Sequence, residues 1–392
     1  MTATLYFDAA ASTPIDPRVL HAVIEALSAP PANASASHGP ARSAHRHIER
    51  AREQVAHLAG AGTSSVIFTS GATEANALAL RGLRPTAGRV GVVTVATEHP
   101  SVRAQVDVLR EEGRPVKIVG VNSNGVIALD ELRAAVGPDT LLVSVMAANN
   151  ETGVLGDLRA ISAIAHEAGA LVHTDASQVL AWGPLDAELD LDLMTVSGHK
   201  MHGPQGAGAL VAKRQARRRL RPLLPGGGQE RGLRSGTYNV AGIVGLGLAA
   251  ELAAQDGPIA APRVRRLRDL LHQQLASLLP TCLLNGHPDR RLPSVLNLAL
   301  GDEHDELDVE AVLAHVPQLV ASTGSACSAG TPEPSHVLQA MGLGAARAAS
   351  SVRLSLSRMT TQEDVDAAVP LLVQAASTVR SRRDTDRQQV PA

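Results

Sequence analysis

The feature that most constrains the fold is an alternation of two patterns between about residues 17 and 255. Short apolar runs are separated by stretches with helical spacing. The apolar runs read V-I-F-T-S, R-V-G-V-V-T-V-A, V-K-I-V-G-V, T-L-L-V-S-V-M-A, A-L-V-H-T-D and L-D-L-M-T-V-S. Near-continuous apolar strands that alternate with helices are typical of a mostly parallel sheet covered on both faces. The sequence therefore predicts an α/β fold.

Polar segments follow five of these predicted strands. They read S-G-A-T-E, T-E-H-P, A-N-N-E-T-G, D-A-S-Q and S-G-H-K. Open α/β sheets bind ligands beyond the carboxyl ends of their strands. We therefore expect a ligand site where these five segments meet.

The chain is long for one core, so we expect two domains. Apolar strands near L-N-L-A-L and V-R-L-S-L indicate a second, smaller α+β domain. We assign residues 16–255 to the large domain and residues 1–15 and 256–378 to the small one. The polar, aperiodic segment 379–392 is predicted to be disordered.

Two helices are predicted between the domains. A small-residue pattern covers about 239–256, and a longer amphipathic pattern covers about 261–279.

Composition excludes several classes of protein. The net charge of −2 argues against a globally cationic polyanion binder, and no apolar run is long enough to span a membrane. One Trp, two Tyr and two Phe leave little for stacking on bases, so direct nucleic-acid binding is not expected. Two cysteines exclude a disulfide framework. With no secretory signal apparent at the start, we expect a cytoplasmic protein.

Lys200, in S-G-H-K-M-H-G-P-Q-G, is notable because nearly all the other basic residues of the chain are arginines. Lys117, Lys200 and Lys213 are the only lysines among 36 basic residues. Lysine can lose its proton and attack a carbonyl as a free amine, whereas arginine stays protonated. A Schiff-base role is the sharp hypothesis, and an ordinary surface lysine is the alternative.

Asp175, in V-H-T-D-A-S-Q, follows an apolar strand, so its carboxylate is expected to be partly buried and to need a cationic partner. A ring nitrogen could supply that charge, although a helix N-cap is the simpler interpretation. Asp175 on a pyridinium nitrogen and Lys200 on an aldehyde is the arrangement of a pyridoxal phosphate site.

Two further strand ends offer binding groups. The turn before Ala72 and Thr73 is a phosphate cradle in outline, or else a plain helix start with Glu74 in its first turn. His99, in T-E-H-P, could stack on a ring or carry protons, or be only a polar cap. The remaining histidines lack ligand partners at metal-binding spacing, so no metal site is predicted.

The two cysteines differ in their surroundings. Cys327, in S-T-G-S-A-C-S-A-G-T, has only small neighbours, which favours a reactive thiol over a structural one. Cys282, in L-P-T-C-L-L-N, has apolar neighbours and is assigned to packing. Arg353, in V-R-L-S-L, could bind a carboxylate bidentately through two of its guanidinium nitrogens, and a surface arginine is the alternative.

Ten motifs in order over nearly the whole chain resemble those of the cysteine desulfurases. They are F-D-A-A-A-S-T-P, S-H-G, S-G-A-T-E, T-E-H, N-N-E-T-G, D-A-S-Q, S-G-H-K-M-H-G-P-Q-G, R-S-G-T, S-T-G-S-A-C and R-L-S-L-S-R. The form S-G-S-A-C is similar to that of the group that includes NifS and IscS. The resemblance implies a homodimeric fold-type I pyridoxal phosphate enzyme related to class V aminotransferases, with a mostly parallel seven-stranded sheet.

The resemblance also implies roles for individual residues. Lys200 would form the Schiff base with pyridoxal 5′-phosphate, and Cys327 would accept sulfur from L-cysteine as a persulfide while L-alanine is released. The other implied roles are Asp175 on the pyridine nitrogen, Gln178 on the ring hydroxyl, His99 stacked on the ring, Ala72, Thr73, Ser197 and His199 on the phosphate, Thr237 on the phosphate of the partner subunit, and Asn150 and Arg353 on the substrate carboxylate.

Departures from the family pattern leave the pathway open. The family's N-P-S or N-P-A is N-A-S here, and the tail after about residue 378 does not resemble the one that IscS-type proteins offer to an iron–sulfur scaffold. The sulfur-acceptor protein could therefore serve iron–sulfur assembly, tRNA thiolation or the DNA phosphorothioation of DndA-type desulfurases, with a preference for the last. Two other functions are weighed: a related lyase or aminotransferase in which Cys327 is incidental, and a non-catalytic nucleic-acid-binding protein using the arginine run 217–221.

Overall fold

The computed structural model describes residues 4–86, 88–302, 305–323, 325–326 and 333–389. Its strands are β1 Leu5–Tyr6, β2 Val66–Thr69, β3 Gly91–Val95, β4 Val116–Val119, β5 Thr140–Ser144, β6 Leu171–Asp175, β7 Leu193–Ser197, β8 Gly208–Ala212, β9 Leu283–Leu284, β10 Val295–Ala299, β11 Leu319–Val320, β12 Ser322–Thr323, β13 Ser325–Ala326, β14 Glu333–Pro334 and β15 Ser351–Ser355. Its α-helices are α1 Pro17–Ser28, α2 Gly39–Leu58, α3 Ala72–Arg81, α4 Pro100–Glu111, α5 Leu129–Ala135, α6 Leu158–Glu167, α7 Arg214–Arg217, α8 Val240–Leu278, α9 Val309–Ala314, α10 His336–Ala340, α11 Ala345–Ala349 and α12 Gln362–Gln389.

Seven strands form the main sheet, in the order β2-β8-β7-β6-β5-β3-β4. All neighbouring pairs from β7 to β4 are parallel, and β8 runs antiparallel to both β2 and β7. This confirms the predicted α/β class with a mostly parallel seven-stranded sheet. The six predicted apolar runs all form strands of it, while β8, with the sequence G-A-L-V-A, was not among them.

The two faces of the main sheet bury different side chains of the same strands. In β2, Ile67 packs into the cluster under α3 and α4, and Phe68 packs into the cluster under α2 and α8. In β5, Leu142 packs into the cluster under α3 and α4, and Val143 packs into the cluster under α2 and α8. Because every second residue of a strand points to the opposite face, a sheet buried on both sides needs apolar residues at consecutive positions.

The register of β8 brings two polar strand ends together. Thr69 at the end of β2 and Ser197 at the end of β7 both lie opposite Gly208. A Cβ atom on Gly208 would stand 2.7 Å from the Cα of Gly71. Glycine is therefore required at position 208 for the turn after β2 to lie against the end of β7.

A second, antiparallel sheet has the strand order β12-β15-β10-β9. Its strand residues Leu296 and Leu354 belong to a separate hydrophobic cluster that also contains Phe7, Leu271 and Val365. This cluster draws on the start of the chain and on its last third, which is the distribution expected of the small domain. The domain boundaries themselves stay a prediction.

The two helices predicted between the domains are one helix, α8, of 39 residues. Pro258 and Pro262 lie inside it, so the prediction of two separate helices is wrong. Gly257 permits a close approach there, because a Cβ atom at this position would lie 2.7 Å from the carbonyl carbon of Trp182. Tertiary packing has overridden the local helix-breaking preference of proline.

The prediction of disorder from residue 379 differs from the structure, in which α12 extends to Gln389. Arg380 donates to Asp305 Oδ2 at 2.7 Å, and Arg383 donates to Asp305 Oδ1 at 2.6 Å. These ion pairs connect the helix to the segment between β10 and α9. They depend on a residue far away in sequence, so local composition could not indicate them.

A stability measurement can test the close approach at Gly257. We expect Gly257→Ala to lower the free energy of unfolding by about 1–3 kcal/mol, since overpacking against backbone atoms outweighs the gain in helix propensity. Gly62→Ala is the matched control, because φ is −78° there and a Cβ atom would meet nothing within 4 Å. Urea unfolding midpoints of the two variants check this, and equal midpoints would contradict it.

Candidate active site

A cavity of about 710 Å³ opens at the carboxyl ends of the main-sheet strands. Ten of the twelve site residues predicted from the sequence line it: Ala72, Thr73, His99, Asn150, Asp175, Gln178, Ser197, His199, Lys200 and Arg353. Of the other two, Thr237 is exposed and lies outside the cavity lining. Cys327 lies outside the described residues.

Lys200 ends a single 3₁₀ turn, Gly198–Lys200, that follows β7 directly. Its Nζ donates to the carbonyl oxygens of Ala10 at 2.5 Å and Ala11 at 2.7 Å. Burial, together with the positive charge of Arg353, lowers the pKa of Lys200 to about 8. A substantial fraction of the amine is therefore unprotonated just above neutral pH, as a nucleophile or base requires.

Asp175 is the last residue of β6 and is 8% exposed. Its Oδ1 accepts from the backbone N–H of Ser177 at 3.0 Å, and its Oδ2 accepts from Nδ2 of Asn76 at 2.8 Å. The carboxylate organises the turn that follows β6 and does not cap a helix, because Val179 precedes the next helical turn. Asp175 also lines the cavity, and its role at a ring nitrogen stays a prediction. No cation of the described residues pairs with it, so a protonated ring nitrogen would complete it.

The turn before Ala72, for which a phosphate cradle or a plain helix start is predicted, leads into the N-terminus of α3. No side chain caps the N-terminus of α3. Glu74 instead accepts from the Ser70 N–H at 2.7 Å and from Arg234 Nε at 2.9 Å. The N–H groups of Ala72 and Thr73 therefore lie at the cavity wall, at the positive end of a helix.

Two buried hydroxyl groups at the cavity have no hydrogen-bond partner within the described residues. They belong to Ser177 and Ser197. Buried polar groups are nearly always satisfied, so each of these hydroxyls indicates a missing partner. A phosphate-bearing aromatic ring held between Asp175 and the N-terminus of α3 fits this set of donors and acceptors.

The two cavity histidines are held by their Nδ1 atoms. His99 N-caps α4, with Nδ1 accepting from the Ser101 N–H at 3.1 Å, and its ring is exposed to the cavity. His199 Nδ1 lies 3.2 Å from the hydroxyl oxygen of Ser12. Burial and then the charge of Lys200 lower the pKa of His199 to about 4, so this imidazole is neutral at neutral pH.

Arg353 reaches the cavity from β15 of the small-domain sheet. It is 8% exposed and donates to Asp8 Oδ1 at 2.7 Å, to Ser322 Oγ at 2.8 Å and to the carbonyl oxygen of Asn150 at 3.1 Å. Its Nε is buried without a partner in the described part of the chain. The surface-arginine alternative is therefore wrong, because the guanidinium is buried and Arg353 lines the cavity.

Several residues that build the site were not predicted from the sequence. The carbonyl groups of Ala10 and Ala11 and the carboxylate of Asp8 come from the motif F-D-A-A-A-S-T-P, to which no role was assigned. Asn76 is fully buried in an alanine- and leucine-rich helix. An amide on the apolar face of such a helix is a signal that could have identified it.

Two features are absent from the described part of the chain. No cluster of three or more His, Cys, Asp or Glu side chains is arranged to hold a metal ion. No helix there combines the length and the apolar character needed to cross a membrane.

Comparison with known proteins places the chain among enzymes of one family. Residues 5–368 match the family model "Aminotransferase class-V". A cysteine desulfurase of Frankia sp. (strain EuIK1) is 44% identical over 391 residues, covering 96% of this chain and 92% of the relative.

Solved structures agree with this placement. A NifS-like protein superposes with a TM-score of 0.87 at 34% identity, covering 96% of this chain and all of that chain. SspA, solved in complex with cysteine, superposes with a TM-score of 0.78 at 32% identity, covering 91% of this chain and 99% of that one. The fold and the family are thus shared over nearly the full length.

The pKa of Lys200 can be tested by labelling the cofactor-free protein with acetic anhydride across a pH series. We expect acetylation of Lys200 to rise with a midpoint of about pH 8, because burial and Arg353 favour the neutral amine. In Arg353→Gln the midpoint should move upward, since a positive charge has been removed. Peptide mass spectrometry with exposed Lys117 as the internal reference gives the measurement. A Lys200 midpoint near 10.5, the ordinary lysine value, would contradict it.

Proposed function

The chain belongs to the class V aminotransferase family and is a cysteine desulfurase, and we propose that the cavity around Lys200 and Asp175 is where it converts L-cysteine to L-alanine. The observation that carries this proposal is the meeting of a partly deprotonated lysine and a buried carboxylate in one cavity. SspA, a structural neighbour solved with cysteine, supports the same substrate.

Pyridoxal 5′-phosphate is the cofactor that this family implies and that the cavity fits. When bound, it supplies an electron sink for negative charge on the substrate α-carbon. The residues that would hold it are Lys200 at the aldehyde, Asp175 at the ring nitrogen, Gln178 at the ring hydroxyl, His99 on the ring face, and Ala72, Thr73, Ser197 and His199 at the phosphate. In the structure the Gln178 side chain donates to the Ala10 carbonyl at 3.0 Å, next to the Lys200 amine.

The substrate would be oriented by its carboxylate. Arg353 carries an unpartnered buried Nε, and its other nitrogens are fixed by Asp8, Ser322 and the Asn150 carbonyl. A guanidinium held on three sides binds a carboxylate with little loss of side-chain entropy. Arg353 and Asn150 would therefore orient the substrate so that its α-hydrogen faces Lys200.

Proton transfer at the α-carbon is assigned to Lys200. Its Nζ has a pKa of about 8 and would take the α-proton in its neutral form. The carbonyl groups of Ala10 and Ala11, which accept from Nζ in the structure, hold the amine at that position.

Sulfur transfer is assigned to Cys327. Its thiolate attacks the substrate sulfur, so that an S–S bond forms while the carbon–sulfur bond breaks. The electron pair of the broken bond stays on carbon, which takes up a proton and leaves as alanine. The enzyme retains the sulfur as a persulfide on Cys327 and then passes it to an acceptor protein.

A homodimer is part of the proposal because one predicted phosphate ligand is missing from the cavity of its own chain. Thr237 is exposed and follows the glycine-rich segment before α8. In a homodimer it would reach the phosphate bound by the partner subunit. The pathway of the acceptor, and a cytoplasmic location, remain predictions from the sequence alone.

Replacing each cysteine separately tests the sulfur-transfer step. We expect Cys327→Ala to lose multiple-turnover alanine release from L-cysteine, because no nucleophile remains to take the sulfur. Cys282→Ser is the matched control and should retain activity, since burial raises the pKa of Cys282 to about 11 and keeps it a thiol. Alanine is measured with excess reductant present. Undiminished turnover in Cys327→Ala would overturn the persulfide mechanism.

The visible spectrum tests the role of Lys200. We expect the purified protein to be yellow and Lys200→Ala to lose the near-visible band of a lysine-bound cofactor. Lys213→Ala is the control, because Lys213 is ion-paired to Asp190 outside the cavity. An unchanged band in Lys200→Ala would rule out this lysine as the attachment point.

A further inference from the structure

A continuous chain of hydrogen bonds links Asp175 to His99 beneath the cavity. Nδ2 of Asn76 lies 2.8 Å from Oδ2 of Asp175 and 2.9 Å from Oγ of Ser101. Oγ of Ser101 in turn lies 2.8 Å from Nδ1 of His99. Asn76 is fully buried, and Ser101 and Asp175 are 7% and 8% exposed. We call these four residues the buried polar chain.

The direction of each hydrogen bond in the buried polar chain follows from the carboxylate. An ionised Asp175 only accepts, so the Asn76 atom that faces it must be the amide nitrogen. That nitrogen has two hydrogens and also donates to Ser101. The Ser101 oxygen therefore accepts from Asn76, and its own hydrogen is left to point at His99.

His99 receives a second donor on the same ring nitrogen. The backbone N–H of Ser101 also donates to Nδ1, at 3.1 Å, as part of the N-cap of α4. A proton on Nδ1 would face this N–H and break the cap. The proton of a neutral His99 therefore belongs on Nε2, which has no partner within the described residues.

We propose that Ser101 and Asn76 are positioning residues that hold His99 as a neutral imidazole protonated at Nε2. The inference rests on the proposed function and divides the proton chemistry between two groups. Lys200 is the base that takes the α-proton. His99 directs its Nε2–H into the cavity and acts first as a proton donor.

Charged and titratable groups around His99 shift its pKa in opposite directions. The groups that face it from other elements are Asp175 at the end of β6, His199 and Lys200 after β7, His336 on α10 and Arg353 on β15. Asp175 favours the protonated ring, whereas Lys200 and Arg353 disfavour it. Desolvation by the surrounding protein is the largest effect and lowers the pKa of His99, in agreement with the hydrogen-bond directions.

The test is a ¹⁵N NMR titration of the holoenzyme labelled at histidine, with His99 assigned by the loss of its signals in His99→Gln. Near neutral pH we expect the pattern of the Nε2–H tautomer. In Ser101→Ala the titration midpoint of His99 should rise, because a donor to the neutral ring has been removed. Ser162→Ala is the matched control, a buried helical serine beside His166 with no contact to the cavity.

Turnover gives a second readout. Ser101→Ala should lower kcat for alanine release by about 2- to 10-fold, the rate equivalent of one neutral hydrogen bond, with KM little changed. Ser101→Thr keeps the hydroxyl and should restore both the midpoint and kcat.

Two results would overturn the proposal. One is an Nδ1–H tautomer or a doubly protonated His99 in the unmutated holoenzyme near neutral pH. The other is an unchanged His99 midpoint in folded Ser101→Ala. The tautomer is observed without turnover, so its failure is distinguishable from a failure of the desulfurase proposal, which alanine release in the unmutated enzyme decides.

Discussion

Five strand ends that meet at one edge of the main sheet are the constraint on which the site depends. The groups at the cavity come from five separate connections, which carry Ala72, His99, Asn150, Asp175 and Lys200. Their relative positions are therefore fixed by the hydrogen-bond register between strands and not by any one loop. A slip of one residue in any strand would turn its terminal side chain to the opposite face.

The electrostatics of the cavity follow from the same burial. Desolvation lowers the pKa of Lys200, of His99 and of His199. The two histidines are consequently uncharged near neutral pH, and a fraction of the Lys200 amine is uncharged as well. In the proposed function, helix N–H groups, hydroxyls and Arg353 bind the phosphate and the carboxylate, and the bases stay available for proton transfer.

Periodicity and polar strand ends were enough to predict the sheet and to place Ala72, Thr73, His99, Asp175 and Lys200 at one edge of it, because both signals are local. The family resemblance, and not these signals, supplied Asn150, Gln178, Ser197 and His199. What local sequence could not show was set by distant contacts. Asn76 acquires its role from Asp175, 99 positions along the chain, and the continuity of α8 through Pro258 depends on packing against Trp182. The helix beyond residue 379 depends likewise on Asp305. Cys327, identified by its neighbours alone, lies outside the described residues.

Helix α8 gives the molecule one mechanical property that neither sheet has alone. Its first half, around Leu246, packs in the core of the main sheet, and its second half, around Leu271, packs in the core of the small-domain sheet. One continuous helix therefore joins the two hydrophobic cores. Unfolding of either core would expose the half of α8 that packs in it. The enzyme should lose its structure as one unit, so damage on the small-domain side is transmitted to the cofactor cavity.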